Sequence, residues 1–350
     1  KGNNSLLFKI MRKIFFITGA GRCGTKLLTG LLDGNKRFHV FPGEVTNFFK
    51  LSLMENGLEN VIYPHSTKKI CAAFFDQATK NEFKNKEKIY ASLNKKLKKK
   101  FKRNKFLSLN IFLKDILNEF YKDKKPVIIN IHDENFLGLL NSIKNSKIIH
   151  MLRNPLTQIN SRYVFRYQNP QSYDGVEFSS SFYRNYNSFK NAYISLDNKR
   201  VLIVKMENLL EKTKLEIKKI LKFMSFNLEK INLVTTKSGK LFDTKNGTFV
   251  HKGEKMSNIY KQNNNISCLL PNDIYVISKI KYVKNFYKIK KTNIKNHSFI
   301  NFYFRHIGLV GNNRSLIVNP WRLIKNSIYS IYLFILDKNL KDNFLNNQNI

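Results

Sequence analysis

The stretch KIFFITGAGRCGTKLLTGLLDGN, Lys13 to Asn35, constrains the fold of this chain more than any other feature of its sequence. The apolar run Ile14 to Thr18 has no polar alternation, which is typical of a buried parallel strand. A glycine-rich turn follows, and then leucines recur at helical spacing: Leu27, Leu28, Leu31 and Leu32. Such a turn binds tetrahedral anions through backbone N–H groups and the helix N-terminus. The stretch therefore predicts a phosphate-binding turn at the end of a buried strand.

Three more apolar runs predict further buried strands: Val127 to Ile131, Lys147 to Leu152, and Val201 to Lys205. The segments between them are long enough for helices. Strands that alternate with helices predict an α/β fold with a central parallel sheet flanked by helices. We assign residues 11–290 to this domain and residues 291–350 to a C-terminal extension, which we expect to be helical and docked on the domain.

Two of the helices can be placed from local signals. Asn154 and Pro155 are suited to the cap and first position of a helix that includes Thr157 to Tyr167. A second helix is predicted from Glu211 to Phe223, and its apolar positions are Leu215, Ile217, Ile220, Leu221 and Phe223.

The chain carries a formal net charge of +38. This charge fits a partner rich in phosphate or sulfate, or the amino-acid bias of an AT-rich genome, which we favour. The segment Lys84 to Lys105 predicts a strongly basic helix with an apolar stripe of Tyr90, Leu93, Leu97 and Phe101. We expect a solvated face over a thin core stripe. The alternative is an electropositive lip for an acidic acceptor, or for peripheral contact with a membrane surface.

Cysteine usage favours a reducing, cytoplasmic location. Cys23, Cys71 and Cys268 are too widely spaced for a disulfide framework or a paired-cysteine zinc site. The longest apolar run, Ile328 to Leu336, is too short to span a bilayer. No signal peptide is recognisable. The given sequence begins at Lys1 rather than at a methionine, and Met11 would serve as a natural start.

The glycine turn comes close to the P-loop pattern G-x-x-x-x-G-K-[ST] but departs from it. Gly19 to Gly24 fits the first six positions, whereas Thr25 intervenes before Lys26 and Leu27 replaces the hydroxyl residue that would hold magnesium. Asp133 could imitate the acidic residue of the second nucleotide motif. A kinase that uses ATP and magnesium therefore stays open as an alternative.

A second phosphate site is predicted after the third apolar run. Arg153 stands at the carboxyl end of that run, and Ser161 follows eight residues later on the next helix. A guanidinium fork and a hydroxyl suit a phosphate group, and α/β sheets bind ligands outside the carboxyl ends of their strands. Two such strand ends predict a ligand with two separated phosphates. A non-catalytic nucleic-acid binder would leave this spacing unexplained, and we expect no specific nucleic-acid partner.

In order and spacing, from about Lys13 to Phe226, the chain resembles the sulfotransferases that use 3′-phosphoadenylyl sulfate (PAPS). GAGRCGTKLL is similar to their 5′-phosphosulfate loop, LRNPLTQINS to their 3′-phosphate motif, and VLIVKMENLLEKTKLEIKKILKFM to their later strand, acidic E-x-L and helix. The resemblance implies a P-loop NTPase-like sulfotransferase fold. It also implies transfer of a sulfuryl group from PAPS to a hydroxyl or amine, with a saccharide as the favoured acceptor and no metal.

The resemblance assigns roles to residues of both motifs. Arg22 matches the basic residue that contacts the sulfuryl group and the leaving phosphate. The loop that holds the 5′-phosphate corresponds to Cys23, Gly24, Thr25 and Lys26, followed by Leu27, and the 3′-phosphate ligands correspond to Arg153 and Ser161. Cys23 replaces the family's usual serine, and Lys26 replaces a hydroxyl residue. The family's adenine-side loop is matched only weakly, by HKGEK, His251 to Lys255.

Two residues are candidates for the base that takes the acceptor's proton. Glu44, in FPGEVTNFF, resembles the glutamate of polysaccharide sulfotransferases, where an aromatic pair follows. His132, in IINIHDENF, resembles the catalytic histidine of the small-molecule branch, although Asn130 stands where that branch has lysine. We favour Glu44. Without a catalytic role, Glu44 would be a surface-loop acid and His132 a hydrogen-bonded histidine near a strand end.

Overall fold

The computed structural model describes residues 12–45, 61–64, 67, 71, 86–132, 134, 136–143, 145–168, 177–227, 234–237, 240–241, 266, 269, 271–278 and 280–289. The C-terminal extension expected at residues 291–350 lies outside these residues. Asp133, Cys268 and the segment His251–Lys255 lie outside them as well.

A five-stranded parallel sheet forms the centre of the described structure. Its strands are β1 (Ile14–Gly19), β2 (His39–Glu44), β3 (Val127–Ile131), β4 (Ser146–Leu152) and β5 (Val201–Lys205). They lie side by side in the order β2-β3-β1-β4-β5. Two short antiparallel pairs join Val61–Ile62 to Leu107–Ser108 and Thr236–Lys237 to Lys240–Leu241. The prediction of an α/β fold with a central parallel sheet is confirmed.

The helices are α1 (Thr25–Leu32), α2 (Lys86–Phe101), α3 (Leu109–Phe120), α4 (Leu137–Ser142), α5 (Pro155–Gln168), α6 (Glu177–Ile194), α7 (Met206–Glu211), α8 (Thr213–Phe223) and α9 (Pro271–Ser278). A single 3₁₀ turn, Val283–Asn285, follows α9. Within the described ranges, no helix is both long and apolar enough to cross a bilayer.

Both faces of the sheet are covered by helices, which explains the unbroken apolar runs of its strands. Alternate residues of a strand point to opposite faces. Ile14 and Phe16 therefore pack in one cluster with residues of α2, α3 and α4. Phe15 and Ile17 pack in the other cluster, with residues of α1, α7 and α8.

The start of α5 is the one expected from the sequence. Asn154 caps the helix, since its Oδ1 accepts a hydrogen bond of 3.0 Å from the N–H of Leu156. Pro155 is the first helical residue.

The prediction of one helix from Glu211 to Phe223 is wrong at its start. Glu211 is the last residue of α7, and α8 begins after Lys212. The expected apolar position Leu215 is also wrong: this side chain is 63% exposed. The buried stripe of α8 runs through Ile217, Ile220 and Leu221. Leu215 precedes Ile217 by two positions and therefore lies on the opposite side of the helix.

The strand β2 was not predicted, since Pro42 and Gly43 interrupt its apolar pattern. Its position at the edge of the sheet explains why Pro42 is tolerated there. The register with β3 shifts between Val40 and Glu44, and Glu44 pairs with Asn130. Glu44 is therefore the last residue of a strand rather than a surface-loop acid.

The basic helix α2 has the expected core stripe. Leu93 and Leu97 are buried in the first cluster, and Tyr90 and Phe101 pack partly against it. Lys100 Nζ lies 2.5 Å from Asp115 Oδ2 of α3. The electropositive lip stays an alternative for the exposed lysines of this helix, and the solvated face stays the favoured interpretation.

A third apolar cluster lies beside the sheet. Helix α9 and the segment 280–289 pack on α5 and α6 through residues that include Leu152, Ile159, Phe189, Ile277 and Val283. This cluster supports the helix that carries Ser161.

Candidate functional site

The glycine turn leaves the carboxyl end of β1, between β3 and β4. Gly19 has a φ of +155°, and a Cβ there would lie 2.7 Å from the carbonyl oxygen of Met151 and would clash with Cys23 Sγ. Gly24 has a φ of +91°, and its Cβ would lie 3.1 Å from Met206 Sδ. Both positions require glycine, because the turn is packed tightly against β4 and α7.

The turn leads into the N-terminus of α1, which is suited to an anion. Gly24 is the N-cap and supplies no side-chain hydrogen bond, and the first turn of the helix holds no acidic residue. The first intrahelical bond runs from Leu28 N to Gly24 O, at 3.0 Å. The N–H groups of Thr25, Lys26 and Leu27 precede it and have no acceptor within the helix. These amides and the helix dipole favour a negative group at this end.

Two of the expected ligands can take part only through their backbone. Cys23 and Leu27 are 2% and 1% exposed, and both side chains pack in the second apolar cluster. Burial raises the pKa of the Cys23 thiol to about 12, so that it stays neutral. The thiol is therefore part of the core and does not substitute for a serine hydroxyl.

Arg153 leaves the carboxyl end of β4 and lies under the glycine turn. Its Nη1 donates to the carbonyl oxygen of Arg22 at 2.9 Å, and its Nε donates to Thr157 Oγ1 at 3.1 Å. Arg153 is only 4% exposed, and burial lowers its pKa to about 10 while the charge of Glu207 opposes the shift. The guanidinium is still charged at neutral pH.

Arg22 and Ser161 meet beside Arg153. The sequence predicted an anion shared by Arg153 and Ser161, and that pairing stays a prediction. Arg22 Nε donates to Ser161 Oγ at 3.4 Å. Burial lowers the pKa of Arg22, and the charge of Arg162 lowers it further. Clustered guanidinium groups repel each other, so a bound anion would be favourable here.

Residues on α5 that support the turn were not predicted from the sequence. Gln158 Nε2 donates to the carbonyl oxygen of Gly21, and Asn185 Nδ2 donates to Gln158 Oε1 at 2.7 Å. Arg162 Nη1 would lie 3.0 Å from a Cβ at Gly21. A signal was present, since Asn154, Thr157, Gln158, Ser161 and Arg162 recur at helical spacing and predict one polar face.

Both candidate bases lie at one place, at the carboxyl ends of β2 and β3. Glu44 Oε1 lies 2.9 Å from Lys26 Nζ and 3.5 Å from His132 Nε2. His132 Nε2 shares a hydrogen bond of 2.6 Å with Thr25 Oγ1. The side chains of Glu44 and His132 are 27% and 25% exposed, so both can be reached from solvent.

His132 is neutral at neutral pH. Burial lowers its pKa; the nearby charge of Glu44 raises it, and Lys26, Arg184 and Arg22 lower it further. Glu44 Oε1 is buried and accepts no hydrogen bond from the described residues, although it forms an ion pair of 2.9 Å with Lys26 Nζ. Both groups are therefore candidates for the base.

Other polar residues near the strand ends have structural contacts. His150 is fully buried, and its ring nitrogens bond to Thr18 Oγ1 at 2.9 Å and Ser188 Oγ at 2.8 Å. Glu207 accepts a hydrogen bond from Asn154 N at 2.8 Å, which joins the connection after β4 to the connection after β5. Among the described residues, no three His, Cys, Asp or Glu side chains are grouped as a metal site.

Solved sulfotransferase structures are similar to this chain. The sulfotransferase domain of the Synechococcus PCC 7002 olefin synthase is 16% identical, with a TM-score of 0.45 over 79% of this chain and 95% of that one. The sulfotransferase domain from the curacin biosynthetic pathway is 16% identical, with a TM-score of 0.43 over 64% and 77%. A mouse sulfotransferase complexed with PAP is 12% identical, with a TM-score of 0.36 over 94% and 86%.

No curated protein matches the chain. The model of the sulfotransferase family, in contrast, matches residues 15–230, which include the glycine turn, both candidate bases, Arg153 and Ser161. Since this match spans more than half of the 350 residues, the chain belongs to the sulfotransferase family.

Proposed function

We propose that this protein transfers a sulfuryl group from PAPS to a hydroxyl or amine of an acceptor. One observation supports the proposal: two elements suited to binding anions stand at neighbouring strand ends. The first is the uncapped N-terminus of α1, after β1. The second is the pair of Arg153 and Ser161, after β4, which Arg22 links to the first. A donor with phosphates at both ends fits this arrangement.

The residues present fit PAPS as a co-substrate. The backbone N–H groups of Gly24, Thr25 and Lys26 would hold the 5′-phosphosulfate, and Arg153 and Ser161 would hold the 3′-phosphate. The donor supplies the sulfuryl group and a phosphate leaving group. Sulfuryl transfer resembles phosphoryl transfer in its loose, charge-spread transition state, so positioning and electrostatics provide most of the catalysis.

Arg22 is proposed to act on the charge that grows during transfer. It lies between the two anion-binding elements and its guanidinium is largely withdrawn from water. A charge in such a place stabilises a developing anion more than a solvated charge would. Contacts that strengthen in the transition state raise the rate of the chemical step.

Glu44 is proposed as the base, with His132 as the alternative. Glu44 Oε1 accepts no hydrogen bond within the described part of the chain, and the side chain as a whole is 27% exposed, so an acceptor hydroxyl can approach its carboxylate. His132 Nε2, in contrast, is engaged with Thr25 Oγ1 at 2.6 Å. Lys26 balances the charge of the Glu44 carboxylate. Because a glutamate base resembles the polysaccharide branch, a saccharide is the acceptor that we propose.

The proposed chemistry needs no metal, which separates it from the kinase alternative. A kinase would hold magnesium through a hydroxyl after its P-loop lysine. Leu27 occupies that position and is buried in the core. A cytoplasmic location is part of the proposal, since Cys23 and Cys71 are both free and buried.

The test is transfer of label from PAPS carrying radioactive sulfate to a panel of saccharides, small alcohols and amines, in the presence of a metal chelator. We expect a labelled saccharide from the unaltered protein and, at a PAPS concentration below saturation, far less label from the Arg153→Ala variant. Labelling of small alcohols alone would contradict the saccharide proposal. Transfer only from γ-labelled ATP, and only with magnesium, would identify a kinase instead.

A further inference from the structure

We infer that Tyr287, which lies beyond the family match at residues 15–230, positions the proposed 3′-phosphate site through Glu207. The inference rests on the proposed function, because it concerns the strand end that would hold that phosphate. Tyr287 is a positioning residue here, since no contact with the donor is assigned to it.

Two short hydrogen bonds connect Tyr287 to the phosphate-binding strand end. Tyr287 Oη donates to Glu207 Oε2 at 2.6 Å. The other oxygen of the same carboxylate, Oε1, accepts from the backbone N–H of Asn154 at 2.8 Å. Asn154 directly follows Arg153 and caps α5, the helix that carries Ser161. Glu207 therefore holds Asn154, the residue that connects Arg153 to the helix of Ser161.

The ring of Tyr287 is held firmly enough to orient its hydroxyl. Phe189 of α6 meets it edge-on, with centroids 5.9 Å apart and planes at 86°. Lys205 Nζ, at the end of β5, lies 5.0 Å from the ring centroid. Burial raises the pKa of Tyr287 well above its ordinary value, and the charge of Glu207 raises it further. The hydroxyl thus stays protonated and donates to the carboxylate.

The orientation of Glu207 matters because Arg153 is almost completely buried. The negative charge of Glu207 stabilises the charged guanidinium against its loss of solvation. With both oxygens bonded, the carboxylate has one orientation. Without the Tyr287 hydroxyl it can turn, and the Asn154 amide and the neighbouring Arg153 lose a fixed partner.

The test compares Tyr287→Phe with Tyr282→Phe, a matched control. Tyr282 lies in the same segment and packs against Tyr186, with ring centroids 5.8 Å apart. Titration calorimetry measures the affinity of each full-length variant for adenosine 3′,5′-bisphosphate and for AMP, which lacks the 3′-phosphate. We expect Tyr287→Phe to weaken bisphosphate binding about tenfold, the order of one hydrogen bond to a charged group. AMP affinity should stay the same, and Tyr282→Phe should change neither ligand.

A second variant, Glu207→Gln, tests the connection itself. It should lose bisphosphate affinity, and adding Tyr287→Phe to it should cause little further loss, because both changes break one chain of contacts. Equal loss of AMP and bisphosphate affinity in Tyr287→Phe would make Tyr287 a general support of the fold and overturn the inference. Unchanged bisphosphate affinity would overturn it as well. If the unaltered protein binds no bisphosphate, the proposed function itself fails.

Discussion

Replacement of Arg22 by alanine separates donor binding from catalysis. The backbone of Arg22 has a φ of +71°, and its carbonyl oxygen accepts a hydrogen bond from Arg153. Alanine keeps the Cβ, so the backbone strain at this left-handed position does not change. The side chain's bond to Ser161 is 3.4 Å long, close to the limit for a hydrogen bond, and its loss has little effect on folding.

The catalytic loss should be much larger. Removing one preorganised group that meets a developing charge typically raises the barrier by about 3–4 kcal/mol, which lowers turnover by roughly two to three orders of magnitude. Arg22→Lys should recover part of the rate, because it keeps a cation at the same place. Initial rates at saturating PAPS, with an acceptor found by screening, measure turnover, and calorimetry measures the affinity for adenosine 3′,5′-bisphosphate. If affinity falls as far as turnover, Arg22 only anchors the phosphate and the catalytic role is wrong.

Three further predictions concern the donor site, the base and a buried histidine. Arg153→Ala should weaken the binding of adenosine 3′,5′-bisphosphate by about 2–4 kcal/mol, and an unchanged dissociation constant by calorimetry would make Arg153 purely structural. Glu44→Gln should lower turnover about a hundredfold or more with donor affinity retained, whereas collapse in His132→Asn with normal turnover in Glu44→Gln would exchange the two roles. Burial lowers the pKa of His150 from 6.5 to about 3. The unfolded chain therefore takes up a proton that the folded chain excludes, and the free energy of unfolding should fall by about 1.4 kcal/mol for each pH unit below about 6. Urea unfolding at pH 7 and pH 5 should show a shallower fall in His150→Gln, and equal slopes would refute this.

Local signals were enough to predict the frame that carries the site. Strands buried on both faces have apolar runs without alternation, and β1, β3, β4 and β5 all coincide with such runs. The cap at Asn154 depends on neighbouring residues alone. The relation between Arg153 and Ser161 is also local, because it depends only on the end of one strand and the first two turns of the next helix.

Features that depend on strand order could not be predicted in the same way. Pro42 interrupts the apolar pattern of β2, so the sequence did not predict this strand. A proline is acceptable in β2 because the strand lies at the edge of the sheet. Since β2 lies beside β3, Glu44 and His132 meet in one site with Lys26. From the sequence alone, Glu44 and His132 were two separate candidates for the base.

The contact between Tyr287 and Glu207 was equally hidden. It joins residues 80 positions apart and depends on how the segment after α9 packs on α6. No local pattern around Tyr287 marks it as a partner of the strand end after β4. The same reasoning applies to Gln158, whose contact with Gly21 arises only when α5 lies under the glycine turn.

Binding of adenosine 3′,5′-bisphosphate is the decisive measurement, because the proposed function requires two strand ends to hold two phosphates of one nucleotide. Calorimetry without magnesium compares this ligand with AMP and with ATP plus magnesium. We predict that the bisphosphate binds much more tightly than AMP, and that Arg153→Ala removes most of the difference. Equal affinities for the bisphosphate and AMP, or tight binding of ATP that requires magnesium, would contradict it.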